Sequence, residues 1–511
     1  MKLFGLSFLL TAMLLSGTAW SEPSPSPASF PKTKVERGAP PQTTEQLRGP
    51  VLPQIFERRL DNGIPVYIAV RSKLPVEKLD FVFPDAGCKN NPAGQYGLAQ
   101  IMAECMGLGA GERGALAFAE ARDLLGAEFR TMAYCDYLNV RVSCISRKLP
   151  ETLDLAADLV ICPAFAQPEL KRLQKETVDS YGKMKTRLDS LTYYAFERLL
   201  FGQDSPYSYR AYPSPEQVTG LTRQDLCDYH RRHCSPDKMF ICCCGNVDPD
   251  KLVELLNKRF GKWKPAPAQN GSNGGKEMRP AERAKPQPRY VPADMAEKKT
   301  PVDGRLFIID RPGAAQSIIV AGYLGFNAQE ASRLDIQAMN TLLGGGTLSS
   351  RLNQNLRERS GYTYGATSGF HSFADCGYFS CTAAVQTDKT LPALREMLKE
   401  VEAMHQPVPA DELRRTLNYM IGEYSSQFER NTHVLEYLTE TKIFNYPKDY
   451  ADTYAAKAMQ LTPGDIKRAA DRALEADKML LLIGGDAQAL EPQLREAGWK
   501  AQVLTADEVM R

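Results

Sequence analysis

Apolar and polar residues recur along the chain with two periods, and the switches between them outline its elements. Folded sequence begins near Phe56, where "RRLDNGIPVYIAVRS" reads as strand, Asn-Gly turn, strand. "KLDFVFPDAG" reads as a further strand, and "GLAQIMAECM" places Leu98, Ile101, Met102 and Cys105 at helical spacing. From Ala115 the pattern predicts a helix followed by two alternating strands. Residues 149–165 and 168–201 then read as helices, the second long and strongly charged. "TRQDLCDYHRRHCSPDKMFICCCGNVDPDKLVELLNKRFGKW" reads as helix, turn, buried strand, helix.

The same order returns further on. "LTRQDLCDYHRRHCSPDKMFICCCGNV" from Leu221 matches "LTPGDIKRAADRALEADKMLLLIGGDA" from Leu461 without a gap, at a constant offset of 240 residues. Between the copies, residues 264–303 are rich in Pro, Gly, Asn and mixed charge, the composition of a linker. The expected fold class is therefore α+β. Two tandem related domains, 51–263 and 304–511, are each expected to hold a mainly antiparallel sheet covered by helices.

"LLGGGTLSSRLNQNLRERSGYTYGATSGF", residues 342–370, combines a Gly-rich turn, an amphipathic run and a period-2 aromatic run. It predicts a helix ending at Gly361 as its C′ residue, then a strand. Arg357 falls in the last helical turn and Tyr364 on the entering strand, two strong donors near one point. Gly344–Gly346 lack the GxxxxGK[ST] context of a phosphate loop, so backbone geometry accounts for them.

Composition narrows the function classes. A length of 511 residues exceeds one core, and a net charge of +2 gives no support for a nucleic-acid partner. The N-terminus pairs Lys2 with an apolar run and small residues, a secretory signal over residues 1–21. A Pro/Ser-rich spacer follows over residues 22–50. The mature protein is expected to be exported, periplasmic or secreted, with no membrane span. Twelve cysteines lack any CxxC, and Cys242, Cys243 and Cys244 are adjacent in an apolar run. Adjacent strand residues face opposite ways, so these three read as small buried hydrophobes. Cys227/Cys234 and Cys376/Cys381 are the pairs considered for disulfides. His230 and His233 have a possible metal spacing but no third ligand nearby, and read as structural.

These segments, in order over nearly the whole mature chain, resemble the pitrilysin/insulinase family of zinc metallopeptidases, with mitochondrial processing peptidase and the bc1 core proteins. That resemblance implies a clam-shell arrangement and an inverted His-x-x-Glu-His zinc motif on a helix, with a distal Glu about 70–80 residues later. Here the motif positions are Gln100, Ala103 and Glu104, and an ungapped placement puts the distal ligand at Ser180, near Glu176 and Asp179. The zinc motif is degenerate, so no metal cofactor is expected in this chain. The resemblance also implies an Arg and a Tyr seven residues apart that hold substrate and stabilise the oxyanion. Arg357 and Tyr364 match that pair. The expectation is a non-catalytic subunit of an exported heterodimeric zinc endopeptidase, with zinc in a homologous partner and a peptide as substrate. A structural or peptide-binding protein like the core subunits, and a metallopeptidase with a rearranged metal site, are the alternatives.

Overall fold

The computed structural model describes residues 49–510 except 72–73, 203–204, 210–212, 266–303, 332 and 347. The expected signal, nearly all of the spacer and most of the linker lie outside the described residues. Two six-stranded sheets follow one another along the chain. The first contains β1 (Ile55–Arg59), β2 (Pro65–Val70), β3 (Val76–Phe83), β4 (Glu128–Ala133), β5 (Leu138–Ile145) and β6 (Phe240–Gly245), in the order β1-β2-β6-β3-β5-β4. The second contains β7 (Leu306–Asp310), β8 (Gln316–Gly325), β9 (Thr363–Ser372), β10 (Gly377–Gln386), β11 (Leu480–Gly485) and β12 (Gln502–Leu504), in the order β12-β7-β11-β8-β10-β9. Only β2/β6, β7/β11 and β7/β12 pair in parallel.

The repeat is visible in atomic detail. Thr222 opens the Arg223–His233 helix and Thr462 the Pro463–Ala473 helix with the same capping box, each main-chain N–H donating to the Asp three residues on at 2.7 and 2.8 Å. β6 and β11 follow both helices. Cys243 faces the first half's own core, whereas Cys242 and Cys244 face the opposite side of the sheet. All three are fully buried, as period-2 alternation on a covered strand requires.

One expected helix is two. The chain from Gln167 to Phe201 breaks at Arg187, whose extended backbone (φ −99°, ψ 114°) separates Gln167–Thr186 from Leu188–Phe201. The second piece leaves its own sheet and packs on β8 and β11 of the other. The Asn431–Ile443 helix does the reverse and packs on β3 and β6. Each sheet thus has one face under its own helices and the other under a helix from the opposite half. Val434, Leu435 and Leu438 join Ala69, Val82, Cys242 and Cys244 in the core this exchange creates. Asp80, fully buried on β3, is held by both arms of Arg141 at 2.8 Å, and Arg141 reaches Glu436 of the exchanged helix at 2.9 Å.

Geometry rules out both cysteine pairs considered above. Cys227 and Cys234 are seven residues apart along one helix, roughly 10 Å of rise. Cys376 and Cys381 are five residues apart where the chain runs into β10, roughly 16 Å of extended chain. Disulfides need Cα atoms within about 7 Å. The pair that does approach, Cys88 and Cys135 with sulfurs 3.2 Å apart, is separated by 47 residues in sequence. No local spacing could reveal it.

Candidate functional site

Between β8 and β9 the chain departs from α-helical winding. The Leu334–Asn340 helix runs into a π-wound turn at Thr341–Gly345, and a second π-wound segment spans Asn353–Arg359. The three glycines make this possible. A Cβ on Gly344 would lie 2.6 Å from both the Ser368 amide nitrogen and Leu352 Cδ1, and one on Gly345 2.3 Å from Asn340 Nδ2. The second segment ends as expected, with Gly361 at φ +64° and its N–H donating to the Arg357 carbonyl at 3.2 Å.

Asn353 fixes this segment to the sheet. Its Oδ1 accepts from Ala366 N–H at 3.0 Å and its Nδ2 donates to the Ala366 carbonyl at 2.9 Å. Thr363 Oγ1 accepts from Gly365 N–H at 3.1 Å and is 2.9 Å from the carbonyl of the same residue. The start of the outer edge of β9 is therefore satisfied by its own chain. β4, the equivalent outer edge of the first sheet, has no such caps. Among the described residues, none outside β5 bonds to the main chain of 129–133. Free N–H and C=O groups there can pair with an added strand.

Arg357 and Tyr364 sit on either side of the Gly361 turn. Arg357 is about one-third exposed and, among the described residues, pairs only with its neighbour Glu358, at 3.3 Å. Tyr364 is 92% exposed, the most open large hydrophobic side chain among the described residues. Tyr364 projects from the start of β9, while Arg357 is half-buried on the π-wound segment before it. No described group holds the phenol.

The degenerate motif lies on the Leu98–Met106 helix. Leu98, Ile101, Met102 and Cys105 are buried as the spacing implied. Gln100 accepts from Asn91 Nδ2 at 3.2 Å, and Asn91 Oδ1 in turn caps Ala99 N–H at 2.8 Å. Ala103 is buried. Glu104 reaches solvent on one side and faces the Gln167–Thr186 helix on the other. Desolvation raises its carboxyl above the usual range, and Glu176 adds to the rise by like-charge repulsion. Glu176 is drawn instead into a pair with Arg172 at 2.7 Å, and Ser180 lies one turn further along, exposed. An amide, a methyl and one carboxylate facing another do not fit zinc, which needs neutral imidazoles or thiolates beside its carboxylate. Among the described residues no three His, Cys, Asp or Glu side chains gather as a metal site.

His230 and His233 face the core rather than a ligand. His230 bonds the Val160 carbonyl at 3.0 Å, His233 packs on the Tyr229 ring at 4.3 Å, and burial lowers both to about 4. They are neutral packing groups. The missed features are Asn353 and the aromatic cleft beside the Asn431–Ile443 helix. A single polar residue inside an amphipathic run, and rings scattered over 80 residues, give no local signature.

Comparison with known proteins agrees with this architecture. Residues 81–198 match the family described as insulinase (peptidase family M16), and residues 220–420 match the peptidase M16 inactive domain. An uncharacterized zinc protease of Streptomyces coelicolor is 22% identical over 405 residues, spanning 79% of this chain and 84% of that protein. The crystal structure of a peptidase M16 inactive domain from Pseudomonas fluorescens superposes with a TM-score of 0.72 at 20% identity, covering 85% of this chain and 98% of that one. A protease from Helicobacter pylori gives 0.70 at 18% identity, covering 85% and 100%.

Proposed function

Because this chain belongs to the insulinase (M16) peptidase family, we propose that it is the non-catalytic subunit of an exported, heterodimeric zinc endopeptidase. The observation that carries this reading is the contrast between its two motif sites. Gln100, Ala103 and Glu104 do not fit zinc, yet Tyr364 is open to solvent and Arg357, about one-third exposed, is paired among the described residues only with its neighbour Glu358. An exposed phenol, with a partly exposed guanidinium on the other side of the Gly361 turn, suits a surface completed by another chain. In that role the guanidinium holds the substrate backbone, and the phenol donates to the carbonyl oxygen as negative charge develops there. The zinc that attacks belongs to the homologous partner, with which this chain would enclose a clam-shell chamber. An extended peptide adds to the bare edge of β4.

The test is to assay the purified chain alone, a zinc-motif partner alone, and the two together. Peptide cleavage is expected only from the pair. Arg357→Ala should lower kcat/KM by about 10²–10³-fold and Tyr364→Phe by somewhat less, with the complex still assembled. Cleavage by the isolated chain at the rate of the pair would overturn the assignment. A double variant that cleaves like wild type would leave a peptide-binding or structural subunit instead.

A further inference from the structure

The Asn431–Ile443 helix has one side against the first sheet. Its other side borders an open cleft of about 620 Å³ whose walls include Phe428, Tyr437, Phe444, Tyr446 and Tyr450. The rings form a connected lining. Phe428 and Tyr437 are 5.3 Å apart edge to face, and Tyr446 stacks on Tyr450 at 5.4 Å and touches Phe444 at 5.8 Å. Into this lining projects Glu440. Glu440 is exposed to this open cleft, yet partial burial raises its carboxyl to about 6, and Glu436, of the same sign, adds to the rise.

The nearby cations are committed elsewhere. Arg141 is held by Asp80 and Glu436, and His433 pairs with Glu436 at 3.1 Å. Lys442 lies over the Tyr67 ring at 3.9 Å, on the side of the first sheet. The Tyr424 hydroxyl, which also lines the cleft, is buried with no hydrogen-bond partner among the described residues. The repeat supplies an internal control. Tyr194/Tyr437, Glu197/Glu440 and Phe201/Phe444 are identical at a constant separation of 243 residues on the two exchanged helices. Glu197 is buried and accepts from the Tyr378 hydroxyl at 3.2 Å. At the equivalent place Glu440 has an aromatic cleft and no side-chain partner among the described residues.

We propose that this cleft binds an organic cation, an alkylammonium or guanidinium group on a short chain, between the ring faces and the Glu440 carboxylate. Aromatic faces attract cations through their quadrupole. A carboxylate without a counter-ion supplies the charge that fixes the cation's position. The volume lies in the range of small-molecule sites and admits a lysine or arginine side chain, or a free polyamine. This assignment does not depend on a catalytic partner.

Calorimetry on the full chain near pH 8, where a carboxyl group with a pKa of about 6 is ionised, tests it directly. The probes are the N-acetyl methylamides of lysine, arginine and norleucine, together with spermidine. The two charged amides should bind at least about tenfold tighter than the norleucine probe. Glu440→Gln should cost at least about tenfold of that affinity, and so should Tyr446→Leu, with the fold checked by circular dichroism. Spermidine binding tighter than either amide identifies a free polyamine as the ligand, and the reverse identifies a peptide side chain. Equal affinity for charged and uncharged probes, no binding up to about 10 mM, or full affinity in folded Glu440→Gln would overturn the proposal.

Discussion

The two exchanged helices occupy equivalent places and are used differently. Leu188–Phe201 is closed on every side from Leu191 onward except at Tyr193, its Glu197 accepting from Tyr378 and its Arg198 Nη1 donating to the Tyr194 hydroxyl at 2.9 Å. Asn431–Ile443 is closed only toward the first sheet, where Val434, Leu435 and Leu438 are buried, and open toward a cleft on its far side. The same division runs through the halves. The first keeps a regular helix at the motif position and a bare edge on β4. The second has a π-wound helix tied to its edge strand, and presents Arg357 and Tyr364. Duplication supplied one frame, and each copy kept a different part of the surface available.

The largest effect is expected where the open helix is anchored. Arg141→Ala leaves Asp80 as an unpaired buried carboxylate and frees Glu436 from the first sheet. Such a loss costs about 3–5 kcal/mol. Tyr378→Phe, which removes a single hydrogen bond beneath the closed helix, should cost only about 1 kcal/mol. Denaturant unfolding of both variants compares the two anchors. Equal losses would mean that the open helix is held by its apolar contacts alone.

Gly344→Ala comes next, at about 1–3 kcal/mol, because its Cβ would meet main-chain nitrogen that cannot move aside. The cost should appear with loss of the Asn353 tie, seen as faster amide exchange at Ala366. Where the halves agree, effects should match in sign. Gly182 and Gly422, in the Gln167–Thr186 and Ala410–Gln427 helices, are 240 residues apart and have open space where a Cβ would go. Each Gly→Ala change should raise stability by about 0.5–1 kcal/mol, read from thermal melts.

What could be read from the sequence was whatever is local or repeated. The Asn62-Gly63 hairpin, the 240-residue offset and the alternation of Cys242 to Cys244 all appear where their patterns placed them, since turn chemistry and burial period are properties of neighbouring residues. Arg357, Gly361 and Tyr364 also keep their expected places. The exchange of helices was not legible. An apolar stripe on Leu188–Phe201 states that one face is covered, and nothing in its periodicity distinguishes its own sheet from the other. The break at Arg187, the tie from Asn353 to Ala366 and the contact of Cys88 with Cys135 are likewise tertiary facts, set by residues far apart in the chain.

The smallest effect bears most directly on why Glu440 differs from Glu197. Its carboxyl, raised to about 6, binds its proton more tightly in the folded protein than in the unfolded chain. That preference favours the fold fully below the unfolded value near 4.5, and is lost as pH rises through about 6. Above that pH the charged group costs stability, by no more than about 1 kcal/mol because the cleft is open and water screens it. Glu440→Gln should therefore melt slightly higher than wild type near pH 8, with the gain gone near pH 4, in paired thermal scans. A carboxylate that weakens its own fold at neutral pH is what a cation site requires. Saturating a lysine or spermidine probe should erase the difference between the two proteins by stabilising only wild type. If Glu440→Gln gains nothing near pH 8, the charge is already neutralised within the chain, and the two exchanged helices are alike after all.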